Sequence, residues 1–367
     1  MAPIRVLHVV NSLDPGGMEN GVVNIIRALS EDFEFEVGCL HRKGAFAQRL
    51  PKPEIVKVLG KQDGFSFRAI QELALEITRF SPDLIHSHNL GPLIYAALAS
   101  VGGVRVPILH GEHSQLTPEE CSPRRMLQRK VLYRFCRQIH TVSHSQRSEL
   151  RDKGFSRVGV IVNGVDSKRF SPGKAEERKI QLGIPPQAVV VGMVGRFGPF
   201  KGHTPLLEAF KSLSVEFSDL HLLIVGGGGP KEEEIRQKAK EMENERIHFT
   251  GFQSDPVSFY QAMDFLIVPS FNEGLSNAVL EAMACGVPVL ANAASGQAEV
   301  ISSGKDGMVI DLGSPEKISA AIRKVLNSKD DLSSWGEAAR EKAVREFSLE
   351  SMVQGYAKLY RTMAPAN

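Results

Sequence analysis

The sequence lacks any apolar run that approaches 18 residues, so no transmembrane helix is expected. Cysteine is scarce: only Cys39, Cys121, Cys136 and Cys285 occur, and no C-x-x-C pair is present. This usage favours reduced, buried thiols in a cytosolic protein. An excess of one charge is also missing, because 44 Lys and Arg are balanced by 42 Asp and Glu. A nucleic-acid partner is therefore not expected, and the opening strand carries no secretory signal.

What the sequence does contain is enough chain for two domains and a regular alternation of strands and helices. Its 367 residues exceed one ordinary core, and 42% hydrophobic with 23% charged residues is typical of a globular protein. Short β-branched runs alternate with amphipathic stretches, which is the pattern of parallel βαβ units. The predicted strands cover 4–10, 35–40, 55–58, 84–86, 107–110, 139–142, 159–162, 189–194, 222–225, 247–249, 265–268, 287–290 and 308–310.

The pattern divides into two similar halves. Residues 1–170 form a predicted N-terminal domain, and a polar segment rich in Pro and Gly, 171–188, is predicted to be a linker. Residues 189–346 form a second domain, which ends in predicted helices near 315–326 and 331–346. A last helix covers 349–363 within the tail 347–367. Two such halves imply a cleft, a common location for ligands.

The most informative segment is PSFNEGLSNAVLEAMACGVPVLA. Glu273 lies in a turn after a strand, and Glu281 lies about two helical turns further on, in a helix predicted over 276–285. In a parallel sheet this places Glu273 and the amides of Leu275, Ser276 and Asn277 at the carboxyl ends of the strands, where ligands bind. Exposed amides at a helix start favour an anion, so a phosphate beside an acidic residue is indicated. Taken alone, the pattern also fits a capping turn followed by a solvated glutamate.

This segment resembles the E-x7-E segment of retaining nucleotide-sugar glycosyltransferases of GT-B architecture, specifically family four. The resemblance covers nearly the whole chain. It implies an α/β fold with two Rossmann-like, doubly wound parallel-sheet domains that face a cleft, and a C-terminal helix that crosses back to the first domain. It also implies that Glu281 binds the ribose hydroxyls, that Glu273 orients the donor sugar, and that Gly274 to Asn277 contact phosphate and sugar.

Two glycine-containing turns support the resemblance. Gly16 and Gly17 follow the first strand, where paired glycines let the backbone approach a phosphate; a helix is predicted to begin near Asn20. The turn matches the family's G-G-x-E pattern, and it is not a dinucleotide fingerprint because no G-x-G-x-x-G is present. Arg196 and Lys201 lie five residues apart after the second domain's first strand and match the family's G-R-x(n)-K-G pattern. A solvated loop with surface charges is the alternative interpretation. The resemblance implies that both cations stabilise the departing diphosphate in place of a metal.

A glycine run from Gly226 to Gly229 ends the next strand, and Gly251-Phe252 follows the strand after that. The resemblance places Gly226 and Phe252 around the nucleotide base, which the backbone of Phe252 would contact. Structural tight turns are the alternative interpretation.

Two histidine-rich strand ends, His86-Ser87-His88 and His110-Gly111-Glu112-His113, raise the question of a metal. Neither spacing matches a common zinc motif, so no metal site is predicted, and hydrogen-bonded core or polar loop positions are more typical of such histidines. The resemblance gives His113 a role, contact with the donor sugar from the first domain. His88 is assigned only to the lining of the cleft.

A basic stretch over 122–137 is predicted to be an amphipathic helix, with Leu127, Val131 and Phe135 on one face and its Arg and Lys residues largely opposite. An ordinary surface helix is the favoured interpretation. Peripheral contact with the anionic inner face of a membrane is the alternative, since the acceptor could be a lipid-linked sugar.

The resulting prediction is a cytoplasmic, retaining, metal-independent hexosyltransferase without a cofactor. It would transfer a sugar from a nucleoside diphosphate donor, UDP-linked more than GDP-linked, to a sugar, lipid-linked or small-molecule acceptor in polysaccharide or glycoconjugate biosynthesis. The alternatives are a nucleotide-sugar 2-epimerase, a nicotinamide oxidoreductase, which the absent fingerprint disfavours, and a non-catalytic sugar-nucleotide binding protein.

Overall fold

The computed structural model describes residues 3–101, 106–113, 115–173, 176–271 and 274–364. The chain divides into two compact units, Met1–Asn163 with Glu350–Asn367, and Gly164–Leu349. Residues 171–188, the predicted linker, lie in the second unit, where Glu176–Gln181 form a short helix. In the part of the chain that the structure describes, no helix combines the length and the apolar character needed to span a membrane.

The first unit contains a parallel sheet. Among the described residues it has seven strands in the order β3-β2-β1-β4-β5-β6-β7. The strands are β1 (Ile4–Ser12), β2 (Phe33–Arg42), β3 (Val56–Val58), β4 (Leu84–His88), β5 (Ile108–Glu112), β6 (Cys136–Thr141) and β7 (Val158–Val160). Its helices are α1 (Gly17–Leu29), α2 (Phe67–Phe80), α3 (Leu90–Val101), α4 (Pro123–Leu132) and α5 (His144–Asp152), with short 3-10 turns at Ala45–Arg49 and Pro53–Ile55.

The second unit repeats this arrangement. Its described residues form a parallel sheet of six strands in the order β10-β9-β8-β11-β12-β13. The strands are β8 (Val189–Val194), β9 (Leu220–Val225), β10 (Ile247–Phe249), β11 (Phe265–Val268), β12 (Val289–Asn292) and β13 (Gly307–Ile310). The helices are α6 (Glu176–Gln181), α7 (His203–Glu216), α8 (Glu232–Glu241), α9 (Val257–Gln261), α10 (Asn277–Ala284), α11 (Pro315–Asn327) and α12 (Lys329–Glu346), with a 3-10 turn at Gly296–Glu299.

Local sequence explains many of these elements. In α2 the hydroxyl of Ser66 accepts a hydrogen bond from the amide of Ala69 at 3.2 Å and caps the helix start. Leu73, Ile77 and Phe80 recur at helical spacing and are buried, so one face of α2 packs on the sheet. Strand β9 is buried at every position, as expected for a strand covered on both faces. The predicted doubly wound fold is thus confirmed in both units.

The last helix, α13 (Leu349–Met363), packs on the first unit. Tyr356 and Tyr360 are buried in it, and the Tyr360 hydroxyl lies 2.8 Å from His86 Nδ1 on β4. The Arg361 guanidinium donates to Asp32 at 2.9 Å, near the start of β2. The implied return of the C-terminal helix to the first domain is therefore confirmed.

The basic helix is shorter than the predicted 122–137, and its apolar residues face outwards. The helix ends at Leu132, and Leu127, Val131 and Phe135 are exposed, whereas Arg129 is fully buried. The reason is an ion pair, because the Arg129 guanidinium donates to the buried carboxylate of Glu112 at 3.0 Å. A charged side chain with such a partner occupies the inner face, which periodicity alone assigns to the apolar residues.

Candidate functional site

The second sheet reverses its strand order between β8 and β11. Ligands of doubly wound sheets bind at this point, outside the carboxyl ends of the strands. The loop after β8 carries Arg196 and Lys201, and the loop after β11 leads through Phe271 to Gly274 and α10. The sequence-predicted donor site therefore coincides with the topological switch point of this unit.

Direct contacts join these two loops. The Phe271 amide donates to the Phe200 carbonyl at 3.0 Å, and the two rings lie 5.4 Å apart. Gly202 packs against Pro269 so closely that a Cβ at position 202 would lie 2.8 Å from its ring. The Lys201 turn thus lies beside the segment that leads to Glu273. Residues 272 and 273 are outside the described ranges, so the role of Glu273 stays a prediction.

The two helices that begin at this edge lack side-chain caps. Both α7, which follows Gly202, and α10, which follows Ser276, lack a side-chain cap and an acidic residue in the first turn. Serine hydroxyls do cap α2, α5 and α11, at Ser66, Ser143 and Ser314. Uncapped amides at a helix start carry partial positive charge and attract an anion.

Two cationic side chains lie on the loop that leads to α7. Arg196 is exposed, and its guanidinium makes no hydrogen bond or ion pair with a described residue. Lys201 lies next to Gly202, which precedes α7, so its charge is close to the positive end of the helix dipole. Burial, with a smaller contribution from the Lys201 charge, lowers the pKa of His203 to about 4. The arrangement favours a ligand with several negative charges, such as a diphosphate.

The glycine turns after β8, β9 and β10 pack against one another. The Gly195 amide donates to the Val225 carbonyl and the Gly226 amide donates to the Gly251 carbonyl, each at 3.0 Å. Gly226 has φ 144°, and a Cβ there would collide with the carbonyl of Gly195. Phe252, next to Gly251, is half exposed. The structure therefore brings the predicted base-contacting residues Gly226 and Phe252 next to the Arg196 loop.

Along α10 the predicted residues differ in exposure. Gly274 and Leu275 are buried, whereas Ser276, Asn277 and Glu281 are half-buried. The Glu281 carboxylate accepts a hydrogen bond of 2.7 Å from the hydroxyl of Tyr260, which burial keeps protonated by raising its pKa. Sequence reasoning missed Tyr260, because nothing in the local pattern connects α9 with a residue 21 positions later.

In the first unit, the paired glycines follow β1, whose neighbour β4 marks the switch point of that sheet. Helix α1 begins at Gly17, three residues before the predicted start, and Gly16 precedes it without a side-chain cap. A Cβ at Gly16 would collide with the Glu19 carboxylate. The predicted phosphate-contacting turn is therefore a helix start whose first turn contains the Glu19 carboxylate.

His113 follows β5 and is half-buried. Its backbone amide donates to Asn89 Oδ1 at 3.0 Å, and its Nε2 lies 3.0 Å from His88 Nδ1. Burial lowers the pKa of His113 to about 4, so the ring is neutral at pH 7. His88, predicted only to line the cleft, is instead buried behind His113.

A cluster of imidazoles fills this part of the first unit. His8, His86 and His88 are fully buried, and their nitrogen atoms lie close enough to be considered as metal ligands. His8 Nδ1 lies only 2.9 Å from His88 Nε2, which is a hydrogen-bond length. Two tetrahedral ligands at zinc–nitrogen distances lie about 3.3 Å apart. The spacing therefore favours imidazole–imidazole hydrogen bonds, and the predicted lack of a metal stays a prediction.

Comparison with known proteins agrees with this architecture. Residues 15–169 match the family described as Glycosyltransferase Family 4, and residues 174–342 match Glycosyl transferases group 1. The D-inositol 3-phosphate glycosyltransferase of Corynebacterium glutamicum is 31% identical over 306 residues, which cover 76% of this chain and 72% of that protein. The enzyme of the same name from Corynebacterium urealyticum is 31% identical over 224 residues, 58% of this chain and 53% of that protein.

A solved structure provides the same result for the fold. Anabaena HepE, in complex with UDP and glucose, aligns with 98% of this chain and 100% of its own, with a TM-score of 0.87 and 23% sequence identity. The chain therefore belongs to glycosyltransferase family 4 and has the GT-B fold.

Proposed function

We propose that the chain is a retaining, metal-independent hexosyltransferase that uses a nucleoside diphosphate sugar, UDP-linked rather than GDP-linked. One observation carries the proposal: the exposed Arg196 guanidinium has no described partner, and its loop leads to the uncapped start of α7 and contacts the segment before α10 at the switch point of the second sheet. This cationic edge suits a diphosphate, whose negative charge grows as the sugar departs.

The remaining donor contacts follow from the neighbouring turns. Glu281, held by the Tyr260 hydroxyl, would bind the ribose hydroxyls, and the turns at Gly226 and Phe252 would contact the base. Anabaena HepE was solved with UDP and glucose, which makes UDP-glucose the first donor to test. In the first unit, Gly16 and Gly17 would contact phosphate, and His113 would contact the sugar.

The chemical step needs no separate base in this proposal. Arg196, Lys201 and the helix-start amides would stabilise the diphosphate as the bond to the anomeric carbon breaks. A departing phosphate oxygen would take the proton of the acceptor hydroxyl while the hydroxyl oxygen attacks the anomeric carbon on the same face. Glu273 would orient the sugar. His113, neutral at pH 7, would act as a hydrogen-bonding group.

We propose that the enzyme transfers the sugar to an acceptor used in polysaccharide or glycoconjugate biosynthesis. The corynebacterial relatives are named for D-inositol 3-phosphate, so a phosphorylated polyol is a reasonable acceptor class beside simple sugars. Lipid-linked acceptors are also compatible, because the exposed residues Leu127, Val131 and Phe135 are flanked by exposed basic residues of α4. Co-sedimentation with anionic but not neutral vesicles is the measurement that tests membrane contact.

The deciding experiment is a panel of UDP- and GDP-hexoses, with and without D-inositol 3-phosphate and simple sugars, scored by release of nucleoside diphosphate after treatment with a chelator. Acceptor-dependent release from a UDP-hexose, with retained anomeric configuration in the product, is the expected result. Sugar-nucleotide turnover without acceptor would favour the 2-epimerase. Binding without turnover would leave a sugar-nucleotide binding protein.

A further inference from the structure

A line of three imidazoles leads from the interior of the first sheet to His113. His8 Nδ1 lies 2.9 Å from His88 Nε2, and His88 Nδ1 lies 3.0 Å from His113 Nε2. His8 on β1 is paired in register with His86 on β4, and His88 follows two residues later, so their side chains share one face of the sheet. His113 lies just beyond β5 at the outer end of this line.

The hydrogen bonds of this line do not involve the other histidines of the cluster. His86 uses one ring nitrogen at 2.8 Å from the Tyr360 hydroxyl and the other at 3.1 Å from His140 Nε2. Gly111 makes room for the rings of His113 and His140, because a Cβ at position 111 would lie 2.8 Å from the Nε2 atom of each. His88 therefore has His8 and His113 as its hydrogen-bond partners among the described residues.

All three rings of the line are neutral at pH 7. Burial lowers the pKa of His8 to about 3 and that of His113 to about 4, and it lowers the pKa of His88 well below its ordinary value. A neutral imidazole has one N–H donor and one bare acceptor nitrogen. Because His88 uses both nitrogens, the line of hydrogen bonds runs in one direction, either towards His113 or away from it.

The inner end of the line decides the direction. His8 Nε2 is buried and has no hydrogen-bond partner among the described residues. If the bonds ran inwards, this atom would be an unpaired buried N–H group; if they run outwards, it is only a bare nitrogen. Unpaired buried N–H donors are the rarer and less tolerated case. The outward direction makes His8 the donor to His88, and His88 the donor to His113.

We infer that His88, held by His8, is a positioning residue that fixes His113 in the tautomer with its proton on Nδ1. His113 then offers a hydrogen-bond donor, not a base, to an oxygen of the bound sugar. The inference rests on the proposed function only in this last step, since the tautomer is a property of the protein without ligand.

The tautomer can be observed directly. In protein labelled with 15N-histidine, long-range 1H–15N correlations separate protonated from bare ring nitrogens, and substitution assigns His113 among the 11 histidines. The expected result at pH 7 is a His113 ring protonated at Nδ1 and bare at Nε2. A ring protonated at Nε2 would overturn the inference, whatever the enzyme assay gives.

Two variants test the role of His8. His8→Asp replaces the donor to His88 by a carboxylate, which only accepts, so the hydrogen bonds should reverse, His113 should be protonated on Nε2, and kcat should fall roughly a hundredfold, as for loss of one transition-state donor. The KM for the sugar nucleotide should change little. His8→Asn places an amide N–H near the position of Nδ1 and should restore both the tautomer and most of kcat.

A matched control comes from the second unit. His221 Nδ1 lies 2.9 Å from His248 Nε2, so His221→Phe breaks a comparable imidazole pair away from the line and should change neither readout. An unchanged His113 tautomer in His8→Asp would contradict the inference. If no sugar nucleotide is turned over at all, the proposed function fails while the spectra still decide the tautomer.

Discussion

At the scale of single residues, Arg196 and Lys201 carry the most specific prediction. Arg196→Ala or Lys201→Ala should each lower turnover by about two to three orders of magnitude, because one charge-assisted contact to the departing diphosphate is lost. Arg196 is exposed, so the melting temperature of its variant should change little. Steady-state kinetics with the active donor and a thermal scan measure both quantities.

A control separates this effect from simple loss of charge. Lys305 is another exposed cation of the second unit, away from the β8 and β11 loops. Lys305→Ala should keep full turnover. Unchanged turnover in both Arg196→Ala and Lys201→Ala would remove the cationic loop from the mechanism.

Tyr260 gives a second prediction at this scale. Tyr260→Phe removes the 2.7 Å hydrogen bond that orients the Glu281 carboxylate, which costs about 1 kcal/mol. If Glu281 binds the ribose, the Kd for the nucleoside diphosphate should rise by roughly fivefold. Titration calorimetry measures it, and an unchanged Kd would argue against the ribose role of Glu281.

The sequence predicted the residues of this site that belong to local patterns. Arg196, Lys201 and Glu281 belong to short motifs at strand ends, and the structure places them on loops and a helix that meet at one sheet edge. Tyr260 and His8 were missed because their partners lie 21 and 80 residues away in the chain. Contacts of that kind depend on the tertiary fold, and no local periodicity records them.

At the scale of elements, helix α4 depends on one buried cation. Arg129 bonds Glu112 and Glu120, and Glu112 also accepts a 2.6 Å hydrogen bond from Tyr133. Arg129→Ala would leave the Glu112 carboxylate buried and without its cation, so the free energy of unfolding should fall by about 3–5 kcal/mol. Urea denaturation followed by circular dichroism measures this loss.

The same helix supplies the control. Arg124 is exposed on α4, and Arg124→Ala should change the free energy of unfolding by no more than about 0.5 kcal/mol. Similar losses in the two variants would mean that the Arg129 ion pair does not anchor the helix.

The strands were more predictable than the helix faces. Every predicted strand is present, and in the central strands β8, β9 and β11 runs of Val, Ile and Leu buried on both faces stand out from the polar turns. The ends differ where pairing extends them: β1 continues to Ser12 and β2 to Arg42, and these two residues are paired in register. The orientation of α4 could not be predicted, since it depends on the buried carboxylate of Glu112 from another element.

At the scale of the whole molecule, the buried histidines of the first unit make its stability depend on pH. Burial lowers the pKa of His8 and His140 to about 3 and that of His113 to about 4, and it lowers those of His86 and His88 well below the ordinary value of 6.5. Above about pH 6.5 the folded and unfolded chains both carry neutral rings there, and stability is complete. Below it, the unfolded chain binds protons that the folded chain binds only at lower pH, near 4 for His113 and near 3 for His8 and His140.

Acidification from pH 7 to pH 5 should therefore destabilise the first unit strongly. Each histidine that stays neutral in the folded state lowers the free energy of unfolding by about 2 kcal/mol over this range. Glu112 adds a separate loss at lower pH: burial alone would raise its pKa, but the adjacent His110 ring and the Arg129 charge lower it to about 2. Its contribution thus disappears only as the pH falls from about 4.5 towards 2.

Urea denaturation at pH 7.5, 6 and 5 measures this effect unit by unit. Trp335 is the only tryptophan of the sequence and lies in the second unit, so its fluorescence follows that unit, whereas circular dichroism follows both. The second unit contains fewer such histidines, with His203 and His221 at a pKa of about 4, so its transition should move less. His140→Phe should reduce the number of protons that the first unit takes up on unfolding by about one. An equal free energy of unfolding of the first unit at pH 5 and pH 7.5 would mean that these rings are already charged in the folded protein. It would also contradict the neutral state of the rings in the line from His8 to His113.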